Sequence, residues 1–177
     1  RIEGRKTRDN KVWNNKIGAN ILGVWPLPNK YGIHILNGAS SNFIGDTEHS
    51  NLISGNSESG VRIEGQNTRD NKVWDNKIGA DETGGGALPN KYGIHILNGA
   101  SSNFIGDTGH SNLISGNSES GVRIEGEDTK ENKVRGNLIG ADASSSKSVP
   151  NKYGVHILNR ASSNYIGGCL LYTSPSP

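Results

Sequence analysis

The sequence predicts an all-β solenoid: a chain wound into stacked turns of three short strands. Three observations carry this. An internal repeat runs through the chain, apolar residues alternate within short segments, and Gly, Asn, Ser and Asp crowd the joints. Arg1-Ile2-Glu3-Gly4 returns as Arg62-Ile63-Glu64-Gly65 and as Arg123-Ile124-Glu125-Gly126, a step of 61 residues each time. Residues 1–60 and 62–121 are identical at 50 of 60 positions. Copies this close point to recent duplication, so their identity does not show that each residue is needed.

Each 61-residue unit divides into two turns of three segments. One turn runs Gly60-Val61-Arg62-Ile63-Glu64-Gly65, then Asn71-Lys72-Val73-Trp74, then Asn76-Lys77-Ile78-Gly79. The other runs Gly93-Ile94-His95-Ile96-Leu97-Asn98, then Asn103-Phe104-Ile105-Gly106, then Asn112-Leu113-Ile114-Ser115-Gly116. Val61 and Ile63, like Ile94 and Ile96, sit at alternate positions, the spacing of a strand whose neighbours face opposite ways. The joints suit turns that need left-handed or Asx geometry. No stretch sustains a helical apolar period.

One such turn buries nothing alone. Stacked in parallel, about 4.8 Å apart, the turns bury a thin prism. Val61, Ile63, Val73, Ile78, Ile94, Ile96, Ile105 and Ile114 are its expected core. That explains a composition of 31% hydrophobic and 6% aromatic residues beside 25 Gly, too lean for an ordinary two-layer domain. Asn residues at equal places in successive turns are expected to stack and bond their amides along the axis.

Gly-[Val/Ile]-x-Ile, followed by Asn-x-[Ile/Val] and Asn-x-Ile-x-Gly, resembles the right-handed parallel β-helix repeat of the pectate-lyase-like superfamily. The segments Asn71–Gly79 and Ser111–Gly116 look like those of long secreted or surface-displayed bacterial β-helix proteins. The resemblance covers residues 1–167 and implies a single elongated domain of about five and a half turns. It implies little about activity, because this superfold hosts lyases, hydrolases, adhesins and phage spikes alike.

Two kinds of segment leave the pattern. Residues 20–28, 81–89 and 142–150 keep their length but not their composition, as solvent loops do. After Gly167 the repeat is expected to end, with residues 168–177 non-native or disordered and no role for the single Cys169. The chain opens inside the pattern and shows no polar cap, so a fragment of a longer protein is expected.

The outer face of the first strand carries the candidate site. Its outward positions read Arg1, His34, Arg62, His95, Arg123, His156, and two residues on Glu3, Leu36, Glu64, Leu97, Glu125, Leu158. Arg recurs every second turn, about 9.6 Å apart, close to a disaccharide rise. Such a comb suits uronate or sulfate groups, with tighter binding expected near pH 5.5 as the His rows charge. The bland alternative is that each Arg and Glu neutralise one another and His spaces the Arg rows. Trp13 and Trp74 point outward beside Val12 and Val73, either to stack on sugars or to cover the sheet. The candidate carbohydrate contacts are thus Arg62, His95, Arg123, His34, Glu64 and Trp74.

The chain holds no Asp-Asp or Gly-His-Gly, and its Arg-Ile-Glu recurs identically, so no catalytic residue is expected; Glu64 with His95 is the one weak acid–base candidate. Expected too are no metal site, no cofactor and no membrane insertion. A net charge of +2 gives no dense basic patch for nucleic acid. Two functions stay open. One is a structural or adhesive repeat segment of a secreted or cell-surface protein, touching acidic polysaccharide and flanking repeats of its parent. The other is the non-catalytic scaffold of a polysaccharide lyase or glycoside hydrolase.

Overall fold

The computed structural model describes residues 1–171, and among them every regular element is a strand. Six rungs of three strands follow one another. The first is β1 (Ile2–Glu3), β2 (Lys11–Val12) and β3 (Lys16–Ile17); the second is β4 (Tyr31–Leu36), β5 (Phe43–Ile44) and β6 (Leu52–Ile53). The third is β7 (Ser59–Glu64), β8 (Lys72–Val73) and β9 (Lys77–Ile78); the fourth is β10 (Tyr92–Leu97), β11 (Phe104–Ile105) and β12 (Leu113–Ile114). The fifth is β13 (Ser120–Glu125), β14 (Lys133–Arg135) and β15 (Leu138–Ile139); the sixth is β16 (Tyr153–Leu158), β17 (Tyr165–Gly167) and β18 (Leu170–Leu171).

Every third strand joins the same sheet. The three resulting sheets, each six strands deep, are parallel throughout: β1-β4-β7-β10-β13-β16, β2-β5-β8-β11-β14-β17 and β3-β6-β9-β12-β15-β18. The chain is therefore a parallel β-helix. Five steps separate the first and last strand of each sheet, about 24 Å of height.

The expected interior column is present. Ile33 pairs with Val61, Val61 with Ile94, and Ile94 with Val122. Val61, Ile94 and Val122 are wholly buried, with Ile35, Ile63, Ile96 and Ile124 beside them. Ile44, Val73, Ile105 and Val134 line the second sheet, and Ile53, Ile78, Ile114 and Ile139 the third. β-Branched side chains suit these positions because they pack well on a pleated surface. The thin prism also brings backbones together: a Cβ on Gly60 would lie 2.7 Å from the carbonyl oxygen of Gly93.

Three asparagine ladders run along the corners. Asn10, Asn42, Asn71, Asn103, Asn132 and Asn164 form one, each Nδ2 donating to the next Oδ1 at 2.8–3.0 Å. Asn15, Asn51, Asn76, Asn112 and Asn137 form a second. Asn29, Asn56, Asn90, Asn117 and Asn151 form a third. All three donate toward the C-terminal end. These amides satisfy backbone groups at corners where no ladder of strand bonds exists.

The stack extends beyond Gly167, where the sequence pattern is expected to stop. Leu170 pairs with Leu138 and Leu171 with Ile139. Cys169 stands where the second ladder expects Asn, 3.9 Å from Asn137 Nδ2. The run Ile166-Gly167-Gly168-Cys169-Leu170-Leu171 has the spacing of Val134-Arg135-Gly136-Asn137-Leu138-Ile139, so the pattern persists with a thiol in place of an amide. Residues 172–177 of the expected tail lie outside the described residues.

Candidate functional site

The first sheet sets Arg and His on alternate rungs. His34 pairs with Arg62 and Arg62 with His95; His95 pairs with Arg123 and Arg123 with His156. What the periodicity could not give is where the side chains end. Glu64 takes Arg62 from its own strand, through Nε at 2.7 Å, and His34 from the rung before, through Nε2 at 2.9 Å. Glu125 repeats this with Arg123 at 2.8 Å and His95 at 2.7 Å. Arg62 also lies 3.3 Å from His95 Nδ1. The ladder is thus one network, from His34 through Glu64, Arg62, His95 and Glu125 to Arg123.

Glu64 and His95, the one weak acid–base candidate, do not pair: Glu64 bonds Arg62 and His34, while His95 bonds Glu125 and Arg62. Tyrosines that the sequence pattern does not single out close the network further. The Arg62 guanidinium stacks 5.0 Å over Tyr31, and that of Arg123 lies 5.2 Å over Tyr92. The His95 side chain is only 6% exposed.

Electrostatics follows from this closure. Burial pushes His95 below the usual imidazole range, with Arg62 and Arg123 acting the same way and Glu125 opposing. Burial lowers His34 likewise, with Glu64 opposing and Arg62 and Arg1 assisting. The Arg123 hydrogen bond, against burial and with help from His95, holds Glu125 down at about 2. His95 is therefore neutral near pH 7. Its contacts fix the tautomer: Nδ1 accepts from Arg62 while Nε2–H donates to Glu125. The expected charging of His34 and His95 near pH 5.5 runs against these shifts.

The second sheet differs. Its outward column reads Lys11, Phe43, Lys72, Phe104, Lys133, Tyr165, fixed by the pairing of β2, β5, β8, β11, β14 and β17. Lys11 sits 4.5 Å over Trp13, Lys72 lies 4.8 Å from both Phe43 and Trp74, and Lys133 is 5.0 Å over Phe104. No salt bridge engages these three lysines among the described residues. Rings hold them without cancelling their charge.

Trp74, the predicted aromatic contact, anchors this face. His110 stacks on it at 4.3 Å and is held by Asp75 at 2.8 Å. Trp13 has an equivalent cover in His49, 4.9 Å away and bonded to Asp46. Gly45 lies between the two indoles, with a φ of 78° and Trp74 O where a Cβ would stand. The result is an open cleft of about 240 Å³ lined by Lys11, Trp13, Phe43, Trp74 and His110. At the adjoining corner Arg8, Ser40, Arg69 and Ser101 form another column, and Lys130 pairs with Ser162 farther along.

The loops expected to lie in solvent are small hairpins, closed by Ala19–Pro26, Ala80–Ala87 and Ala141–Ser148 bridges. They stack on one another, Glu82 N–H donating to Gly23 C=O at 3.0 Å and Ala143 N–H to Gly84 C=O at 3.1 Å. Trp25 is exposed in the first hairpin. Among the described residues no three His, Cys, Asp or Glu side chains are grouped as metal ligands. No family model, curated protein or solved structure matches the chain.

Proposed function

We propose that this chain is a structural and adhesive β-helix segment that binds acidic polysaccharide on the outer face of its second sheet. The observation that carries the reading is the alternation of Lys11, Phe43, Lys72, Phe104, Lys133 and Tyr165 beside Trp13 and Trp74. Lysines two rungs apart recur every ~9.6 Å, so a polymer with at least one anion per disaccharide, as polygalacturonate has, can meet a cation at each repeat. Rings between them offer flat surfaces for sugar faces. The first-sheet network suits this role less well, because its Arg and Glu groups are already paired with one another. On this reading the chain works outside the cell or on its surface, where such polymers are met.

Isothermal titration with polygalacturonate and with neutral dextran tests it. Binding of the first, weakening with salt, and none of the second is expected. Lys72→Gln with Lys133→Gln should lower affinity about tenfold, roughly 1.4 kcal/mol. Equal binding of both polymers, or no loss in the double variant, would count against the reading.

A further inference from the structure

The corner after each Arg-bearing strand of the first sheet occurs three times, and its charge changes along the stack. At its first occurrence it carries Arg5, Lys6 and Arg8 against Asp9, and at its second Arg69 against Asp70. At its third it carries Lys130 against Glu127, Asp128 and Glu131. The backbone does not demand this reversal. Asp9, Asp70 and Glu131 hold the same place with φ of 59°, 58° and 60°.

A pocket lies on the positive part. Arg5, Gly38, Ser40, Asn67 and Arg69, from three successive rungs, line an open space of about 380 Å³ with no carboxylate in its lining. Gly38 lets the stem of Arg5 lie close, since a Cβ there would stand 2.8 Å from Arg5 Cγ. Ser40 pairs with Arg8 on one side and with Arg69 on the other. Arg5 has no carboxylate partner among the described residues. Arg69 gives only Nη1 to Asp70, at 3.0 Å, and is 60% exposed, against 16% for Arg62 in the first-sheet network.

The place is open inside the stack as well. Gln66, Asn67 and Arg69 are exposed although rungs pack on both sides of them. What changes along the axis is the residues. Gln66 stands over Gly99 as Arg5 stands over Gly38, with Asp128 and Lys130 where Asn67 and Arg69 were. One unit farther, Arg160 replaces the glycine and pairs with Glu127 at 3.6 Å.

We infer that the Arg5–Arg69 pocket takes a sulfate ester of the acidic polysaccharide. Two guanidinium groups supply charged donors, and the Ser40 hydroxyl and Asn67 amide supply neutral ones. A planar carboxylate, with two oxygens, is matched by one guanidinium. A sulfate ester has three terminal oxygens pointing in three directions, which suits donors drawn from three rungs. Arg8 and Arg69 each precede a lysine of the second-sheet column, Lys11 and Lys72, by three residues, at most about 11 Å of chain. A polymer lying on that column therefore reaches the corner. The inference rests on the glycan reading of the second sheet and adds the class of substrate, a sulfated one.

Titration calorimetry with chondroitin and with chondroitin sulfate, which share a backbone and differ in the ester, tests it. The native chain is expected to bind the sulfated polymer roughly tenfold more tightly. Arg5→Gln and Asn67→Asp should each abolish that preference and change the binding of unsulfated chondroitin little. The repeat already uses Gln66 and Asp128 at these places, the latter with a φ of 62° beside 64° for Asn67, so both variants keep the backbone. Lys91→Gln, which removes one charge beside the first sheet, should retain the preference. Equal binding of the two polymers by the native chain overturns the inference and leaves the glycan reading standing. So does a preference that survives in Arg5→Gln and Asn67→Asp, or one that Lys91→Gln loses as fully. Binding of neither polymer fails the glycan reading itself, and the inference with it.

Discussion

His95 Nε2 lies 2.7 Å from Oε1 of Glu125, one rung farther along the stack. The pair joins the two kinds of turn in the 61-residue repeat, since His95 belongs to one and Glu125 to the other. Arg62 approaches the other ring nitrogen from the rung before. A row that sequence alternation presents as a comb of free cations is therefore a string of bonds along the axis. In a partly buried setting such bonds are stronger than in water, and each partner is costly to orphan.

Removing the acceptor should show that cost. Glu125→Ala leaves Arg123 and His95 without their carboxylate and is expected to lower stability by about 1–3 kcal/mol. Glu3→Ala, on the exposed first rung, is expected to change it little. Urea denaturation of both variants makes the comparison.

Acid should destabilise the fold in two steps. His34 and His95 have folded pKa values below their ordinary 6.5. The unfolded chain thus takes up protons there before the folded chain does, so stability is full above pH 6.5 and declines below it. Burial is the main cause of both shifts; Arg62 and Arg1 at His34, and Arg62 and Arg123 at His95, add to it, while Glu64 and Glu125 oppose it. Glu125 falls from 4.5 to about 2, so its contribution is present above pH 4.5 and is lost toward pH 2. Tm measured against pH should show both declines in the native chain. The His34→Gln/His95→Gln variant should keep only the lower one.

The asparagine ladders predict a penalty out of proportion to side-chain size. Asn103 is wholly buried, donates to Asn132 Oδ1 and the Thr68 and Ser101 carbonyls, and accepts from Asn71. Asn103→Ala should cost about 1–3 kcal/mol per orphaned group. Asn164→Ala, at the end of the same ladder and partly exposed, should cost less. Thermal unfolding monitored by circular dichroism decides between them.

Gly45 makes a geometric prediction. Its positive φ and the crowding carbonyl of Trp74 leave no room for a Cβ. Gly45→Ala should lower stability by at least about 1 kcal/mol and displace Trp74, which its fluorescence would report. Gly109, with nothing within 4 Å of an added Cβ, tests strain without crowding and should lose less.

Much of this was legible in the residues. The 61-residue period gave the stacking, and alternation around Val61, Ile94 and Val122 gave the interior column. Repeating Asn positions gave the ladders. The side-chain ends were not legible, because period-two alternation says which way Arg62 leaves the sheet but not that it bends onto Glu64 and His95. The pattern does not mark out Tyr31, because it lies before Gly32, outside the alternating core of its strand. The Lys and Phe alternation on the second sheet was hidden by its spacing: Lys11 and Phe43 are 32 residues apart and meet only when the turns are stacked. Cys169 misled by type, since the spacing around it follows the repeat while its side chain does not.

Lysine acetylation read by mass spectrometry, with and without polygalacturonate, tests the central functional claim most directly. Lys11, Lys72 and Lys133 stand on the second sheet, whereas Lys30, Lys91 and Lys152 stack on the tyrosines beside the first-sheet network. The account predicts that the polymer protects the first three and leaves the second three reactive. Protection of Lys30, Lys91 and Lys152 instead, or of neither set, would contradict it.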